Sequence, residues 1–205
     1  MKLFIRIIVF TIGLTILSLG AVLLSKTGLG ISSWDAINFG LSGLFGLTPG
    51  TWVSISSLIV LSIAALMQRK MINLISFVIG IITGFFIDGW IYILAAMTLD
   101  TTLLQWGVFV IALLVLALGI AIYLLPKFPP GPIDFLMVVV KDKYHLKLMY
   151  AKLIIDFICL IVAFFARGPV GLTTILIAFL LGPLINLWQS ILIKLMPSLS
   201  FDEIK

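Results

Sequence analysis

The sequence holds little of what soluble chemistry is built from. It has one cysteine, Cys159, set inside an apolar run, so no disulfide framework can form within the chain. It has one histidine, His145, which excludes a histidine-based metal cluster in a single copy. Charged residues are 10% of the chain, with eight acidic side chains among 205 residues, where soluble domains carry about 25% charge. No spacing matches a Ser/His/Asp triad, a phosphate loop or a metal-ligand set, so the expectation is a non-enzyme that needs no metal and no cofactor. What the chain has is apolar surface: 62% of residues, with a mean hydropathy of +1.33. A soluble fold of this length could not bury that much, and the composition points to an all-α integral membrane protein whose first partner is the lipid bilayer.

A membrane-crossing helix needs roughly 20 mostly apolar residues. Six stretches qualify: Ile7–Leu24, Thr51–Met67, Met71–Leu99, Thr101–Leu125, Leu148–Ala166 and Gly171–Ile193. Two shorter pieces follow glycine- and proline-rich breaks, one near Ser33–Leu44 and one at Ile133–Val140. The N-terminal stretch has the basic start of a signal peptide but no small-residue cleavage pattern after it, and reads as a retained first helix. Ten of the thirteen Lys and Arg residues fall on the side of the N-terminus, two (Lys26 and Arg167) on the other, and Lys152 within a span. Basic residues are retained on the cytoplasmic side, so both termini are expected in the cytoplasm, with 197–205 as a polar tail. This topology accounts for most of the net charge of +5 without a nucleic-acid partner. The segment "KDKYHLK" then reads as an inner loop beside anionic lipid.

Rare residues recur at a fixed distance. At an offset of 99, Gly20 meets Gly119, Ser33 meets Pro132 and Asp35 meets Asp134; at an offset of 98, Trp52 meets Tyr150, Arg69 meets Arg167, Gly84 meets Gly182, Asp88 meets Asn186 and Trp90 meets Trp188. The expected organisation is two three-span repeats, 1–99 with a broken segment at 28–50 and 100–196 with a broken segment at 126–147. An odd number of spans per repeat would insert the halves oppositely, as inverted repeats. Secondary transporters with that plan bind solutes near the midplane, on broken helices at matching places. Asp88 and Asn186 should then lie at mirrored depths.

Asp35 and Asp134 occupy matching places in the two breaks. In "SSWD", Ser32 can cap a helix with Asp35 at its third position. In "GPID", Gly131 can cap, Pro132 sits where a missing N–H costs nothing, and Asp134 is again third. One reading makes both acids helix caps that satisfy free amides and the positive helix end. The other makes them a site: a short helix starting inside the protein aims its amides at a cavity, and Gly30 and Gly131 let backbone approach closely. Lys152 and Asp156, four residues apart, are either an internal ion pair or a coupling carboxylate with its counter-charge. Asp88 is an intramembrane acid, a functional candidate or a hydrogen-bonding group between helices. The tryptophans Trp34, Trp52, Trp90, Trp106 and Trp188 read mostly as interfacial anchors. The candidate solute- or ion-binding residues are therefore Ser32, Asp35, Gly30, Gly131, Asp134, Asp88, Asn186, Asp156 and Lys152.

"GLGISSWDAINFGL", followed by "GLTPGTW", resembles the bacterial YczE/YitT-like family of small multi-pass membrane proteins. The family shows Gly-x-Gly-x-Ser-Pro-Trp-Asp after its first helix; Gly28, Gly30, Ser32, Trp34 and Asp35 match, and Ser33 stands where the proline is usual. The resemblance implies the bacterial plasma membrane and implies little chemistry. Three functions are compatible with this sequence. They are a secondary transporter of an unknown small solute or ion, a substrate-capture subunit of a multi-component uptake system, and a structural or regulatory membrane protein. The repeat favours the first. A chain this short can also require a homodimer to enclose a pathway.

Overall fold

The computed structural model describes residues 2–195, and all regular structure among them is helical. Six helices are long and apolar enough to cross a membrane: α1 (Lys2–Lys26), α3 (Pro49–Gln68), α4 (Leu74–Ile93), α5 (Thr102–Leu124), α7 (Leu148–Phe165) and α8 (Leu172–Leu195). Two are short: α2 (Ser33–Phe45) and α6 (Pro132–Tyr144). The chain is a polytopic membrane protein. The expected tail, 197–205, lies outside the described residues.

The ends of the helices follow from side chains that satisfy otherwise unpaired amides. Ser32, Thr48, Asn73 and Thr101 each accept a bond from the backbone N–H three residues on. Pro49 and Pro132 stand in first turns, where no N–H is needed. Helix α6 runs further than its apolar stretch, through "KDKY". Lys141 and Lys143 fall in its last turn, where cations meet the negative helix end, and His145 closes it in left-handed backbone. The polar segment expected as loop is therefore partly helix.

Small residues set the close crossings, as expected where apolar surface alone gives no preference between lipid and protein. Helix α1 lies along α5 with its glycines against the partner's backbone: a Cβ on Gly20 would strike Leu116, and one on Gly119 would strike Leu17. Helix α4 lies along α3 in the same way, with Gly84 on Gly50 and Gly80 on Ser57. A buried core of Leu24, Ile31, Leu116 and Ile177, with their neighbours, joins α1, the first break, α5 and α8. Helix α8 packs against α5 but scarcely touches α7. Its buried residues, Thr173, Thr174 and Ile177, all lie in its first two turns.

Candidate functional site

Each break is pinned to a connection from the other half of the chain. In the first, the Ile31 N–H donates to Pro169 O at 3.1 Å and the Thr173 hydroxyl donates to Gly30 O at 2.9 Å. Gly30, at φ 122°, presses so closely on Gly171 and Thr173 that no side chain would fit. In the second, the Ser76 hydroxyl donates to Pro130 O at 2.9 Å, and the ring of Pro132 reaches Gly80.

The two short helices start from these breaks, midway along their neighbours. Ser33, at the start of α2, donates to Asp156 Oδ1 in the middle of α7 at 3.4 Å. Further along α2, Gly40 packs on Ala166 and Gly168 at the end of α7. Helix α6 has Pro132 near Ser57, at mid-α3, through Gly80, while Lys143 donates to Met67 O at the end of α3 at 3.1 Å. Both N-termini thus lie inside the bundle and both C-termini at its ends.

Between the N-termini lies a cavity of about 380 Å³. Ser32, Asp35, Gly131, Asp134, Lys152 and Asp156 all border it. The Ser32 hydroxyl accepts from the Asp35 N–H at 3.2 Å and donates to Asp35 Oδ2 at 2.6 Å. The cap of α2 is thus the Ser32 hydroxyl, while the Asp35 carboxylate, held by that hydroxyl, borders the cavity; α6 has no side-chain cap, so the reading of the two acids as helix caps does not hold. Asp134 takes a bond from the Tyr123 hydroxyl at 2.6 Å. Lys152 pairs with Asp156, both border the cavity, and their side chains remain 31% and 26% exposed. The rest of the wall is mostly apolar, with Trp34, Leu116, Ile120 and Phe157 among its members.

Three of the nine candidates lie elsewhere. Gly30 is held in the break against Gly171. Asp88 is bound at the start of α3, accepting from Thr48 Oγ1 at 2.6 Å and from the Gly50 N–H at 2.8 Å. Its role is to hold α4 to a helix end. Asn186 is exposed on α8. Two of the five tryptophans depart from the anchor reading: Trp34 borders the cavity, and the Trp90 indole donates to Thr15 O in α1 at 3.0 Å. Sequence reasoning missed Tyr123, because a tyrosine in the last turns of an apolar span looks like an interfacial residue. It missed Ser33 as a partner of Asp156 because the two are 123 residues apart. Among the described residues, no group of three or more His, Cys, Asp or Glu side chains could hold a metal ion.

A helical membrane protein with two internal helix starts bordering one buried cavity is the class that this fold and site define. Residues 4–190 match the model of a family of unknown function, DUF6198, and the chain belongs to that family. It is 35% identical to the uncharacterized protein YyaS of Bacillus subtilis, over 89% of this chain and 91% of that one. It is 30% identical to the uncharacterized membrane protein YczE of the same organism, over 83% and 79%. An uncharacterized protein of Haemophilus influenzae is 27% identical over 93% and 85%. The resemblance to YczE read from the first break is thereby borne out. No solved structure matches the chain.

Proposed function

We propose that the protein is a secondary transporter of a small solute, working in the bacterial plasma membrane with both termini in the cytoplasm. Its site is the cavity between the α2 and α6 N-termini, bordered by Asp35 and Asp134. Transport around that site, rather than catalysis, is its activity.

The observation that carries this reading is the meeting of two broken-helix starts, each with a carboxylate, in one cavity. Irregular backbone inside a membrane is tolerated where it lines protein or water. Two such breaks at matching places are the pattern of transporter sites. The proposed architecture is two inverted repeats, 1–99 and 100–196. Several features support it. Long, short, long and long helices occur twice in order. Left-handed backbone falls at Gly28 and Lys127, 99 residues apart, and at Arg69 and Arg167, 98 apart. The contacts of Gly20 on Leu116 and Gly119 on Leu17 are reciprocal under the same offset. The α2–α7 contact is matched by α3–α6, α1–α4 by α5–α8, and α2–α3 by α6–α7.

The test is single cysteines at 35 and 134 in a Cys159→Ser background, labelled by a membrane-impermeant thiol reagent in whole cells and in inverted vesicles. Alternating access predicts slow labelling of both positions in both orientations, because the cavity opens to each side in turn. Fast labelling from one face only would make the two acids surface groups and end the transport reading.

A further inference from the structure

The second half of the molecule fails to repeat the first at one place, and the failure is specific. Three residues of α4 have partners in the first half: Gly84 presses on Gly50, Asp88 accepts from Thr48 and Gly50, and the Trp90 indole donates to Thr15 O. Their counterparts on α8 stand without such partners. A Cβ on Gly182 would meet nothing within 4 Å. Asn186 is exposed, and the first turn of α7, which it would cap, has no side-chain cap. The Trp188 indole nitrogen is buried and has no hydrogen-bond partner. A buried indole N–H without a partner costs free energy.

The displacement leaves a slot between α7 and α8 that leads into the cavity. Phe157 of α7 and Phe179 of α8 border the cavity and are 64% and 65% exposed. That surface belongs to membrane-crossing helices, so the slot faces lipid chains. The corresponding α3–α4 side is shut by the Gly50–Gly84 and Ser57–Gly80 contacts.

The ionisable groups around the cavity are mostly acidic. Lys152 and Asp156 offset one another. Asp35 and Asp134 remain, opposed only by two helix N-termini worth about half a charge each. With both carboxylates ionised the balance is about one negative charge, in an otherwise apolar chamber with aromatic walls.

We infer that the cavity takes an amphipathic monovalent cation sideways from the bilayer, through the slot between α7 and α8, with α8 as its gate. This deepens the transport reading and rests on it. The cationic end lies between Asp35 and Asp134, and the apolar body lies against Trp34, Phe157 and the Leu116 and Ile120 side chains of α5. In the shut state α8 moves toward α7, and Trp188, Asn186 and Gly182 gain partners of the kind that Trp90, Asp88 and Gly84 have.

The experiment uses radiolabelled tetraphenylphosphonium as probe and the full chain in lipid nanodiscs. Saturable binding is expected, weakened at least tenfold in Asp35→Asn and in Asp134→Asn. A second measurement uses Phe157→Cys/Phe179→Cys in a Cys159→Ser background, bridged across the slot by a reducible bis-thiosulfonate. The bridge should slow association of the probe at least tenfold, and reduction should restore it, which shows that the protein is still folded. Binding that the bridge leaves unchanged overturns the lateral entrance and leaves the central site standing. Absence of binding, or binding equal in the double Asp→Asn variant, overturns the cation assignment. The labelling of positions 35 and 134 judges the transport reading separately.

Discussion

Gly84 and Gly182 are 98 residues apart and stand in opposite situations, which makes a matched pair of substitutions informative. A Cβ at Gly84 would overlap Gly50 O and come within 3.0 Å of both the Gly50 carbonyl carbon and Ser54 Oγ. The obstacle is mainly backbone, which cannot swing aside, so α4 must move off α3. Overpacking of this kind costs about 1–3 kcal/mol, and displacement of the Asp88 cap adds to it. Alanine in place of helical glycine returns at most about 1 kcal/mol through backbone entropy. Gly84→Ala is therefore expected to destabilise by about 1–2 kcal/mol or more. At Gly182 the added methyl meets nothing within 4 Å, and only the helix-propensity gain remains. Gly182→Ala should be neutral or stabilising by up to about 1 kcal/mol. The assay is reversible unfolding of the purified chain in mixed micelles, followed by tryptophan fluorescence. Equal destabilisation by the two substitutions would refute the reasoning, since it would mean that α8 already packs on α7 as α4 packs on α3. A bulkier Gly182→Leu variant separates stability from the proposed movement: it should fold normally, and if α8 closes as proposed it should lose turnover, because that closure needs this position small.

The Asn38 side chain is fully buried, accepting from Ser56 Oγ at 2.6 Å and donating to Trp34 O at 2.9 Å; Asn38→Leu should cost about 1–3 kcal/mol by removing these two buried hydrogen bonds, read in the same unfolding assay. Asp88→Ala removes the acceptor for Thr48 and the Gly50 amide and should cost about 1–2 kcal/mol, as loss of a helix cap does; Asp88→Asn keeps an acceptor oxygen and should cost less. Lys152→Met leaves Asp156 facing the cavity without its cation and should destabilise, though by less than the ~3–5 kcal/mol of a fully buried pair, since both side chains are partly exposed. Adding Asp156→Leu should recover most of the loss, and no recovery would show that the pair is not the source of the effect.

Much of the helical frame was legible because its signals are local. Apolar runs, capping residues and glycine–proline breaks marked all eight helices found among the described residues, and the short helix expected at Ser33–Leu44 is found at Ser33–Phe45. The acids at the two breaks were legible as a pair because a carboxylate is costly in lipid and rare in this chain. What the sequence could not supply was depth and direction. Asp35 and Asp88 look alike in an apolar background, yet one faces a cavity and the other clasps the start of α3. The difference depends on where α4 crosses α3, which the small residues Gly50, Gly80 and Gly84 decide only once the helices are paired. Tyr123 and Ser33 join the site through contacts made in three dimensions, and no periodicity announces them.

The residues that depart from the repeat say why the slot lies where it does. The α3–α4 crossing is built on Gly50 against Gly84 and Ser57 against Gly80. At the matching positions of the second half stand Leu148 and Gly182, then Ile155 and Ala178. Larger side chains at three of those four places keep α8 from approaching α7 as closely as α4 approaches α3. Lys152 and Asp156, which replace Ser54 and Leu58, put charge on the same helix. A molecule with identical halves would have no bias between its two sides. This chain places small residues on one side and bulk and charge on the other, and on the proposed cycle that difference favours the state open between α7 and α8. A ligand shifts such an equilibrium only by its difference in affinity for the two states. A cation bound between Asp35 and Asp134 must therefore gain contacts as α8 closes, and the wall that α8 supplies at Ile175 and Phe179 is where they would form.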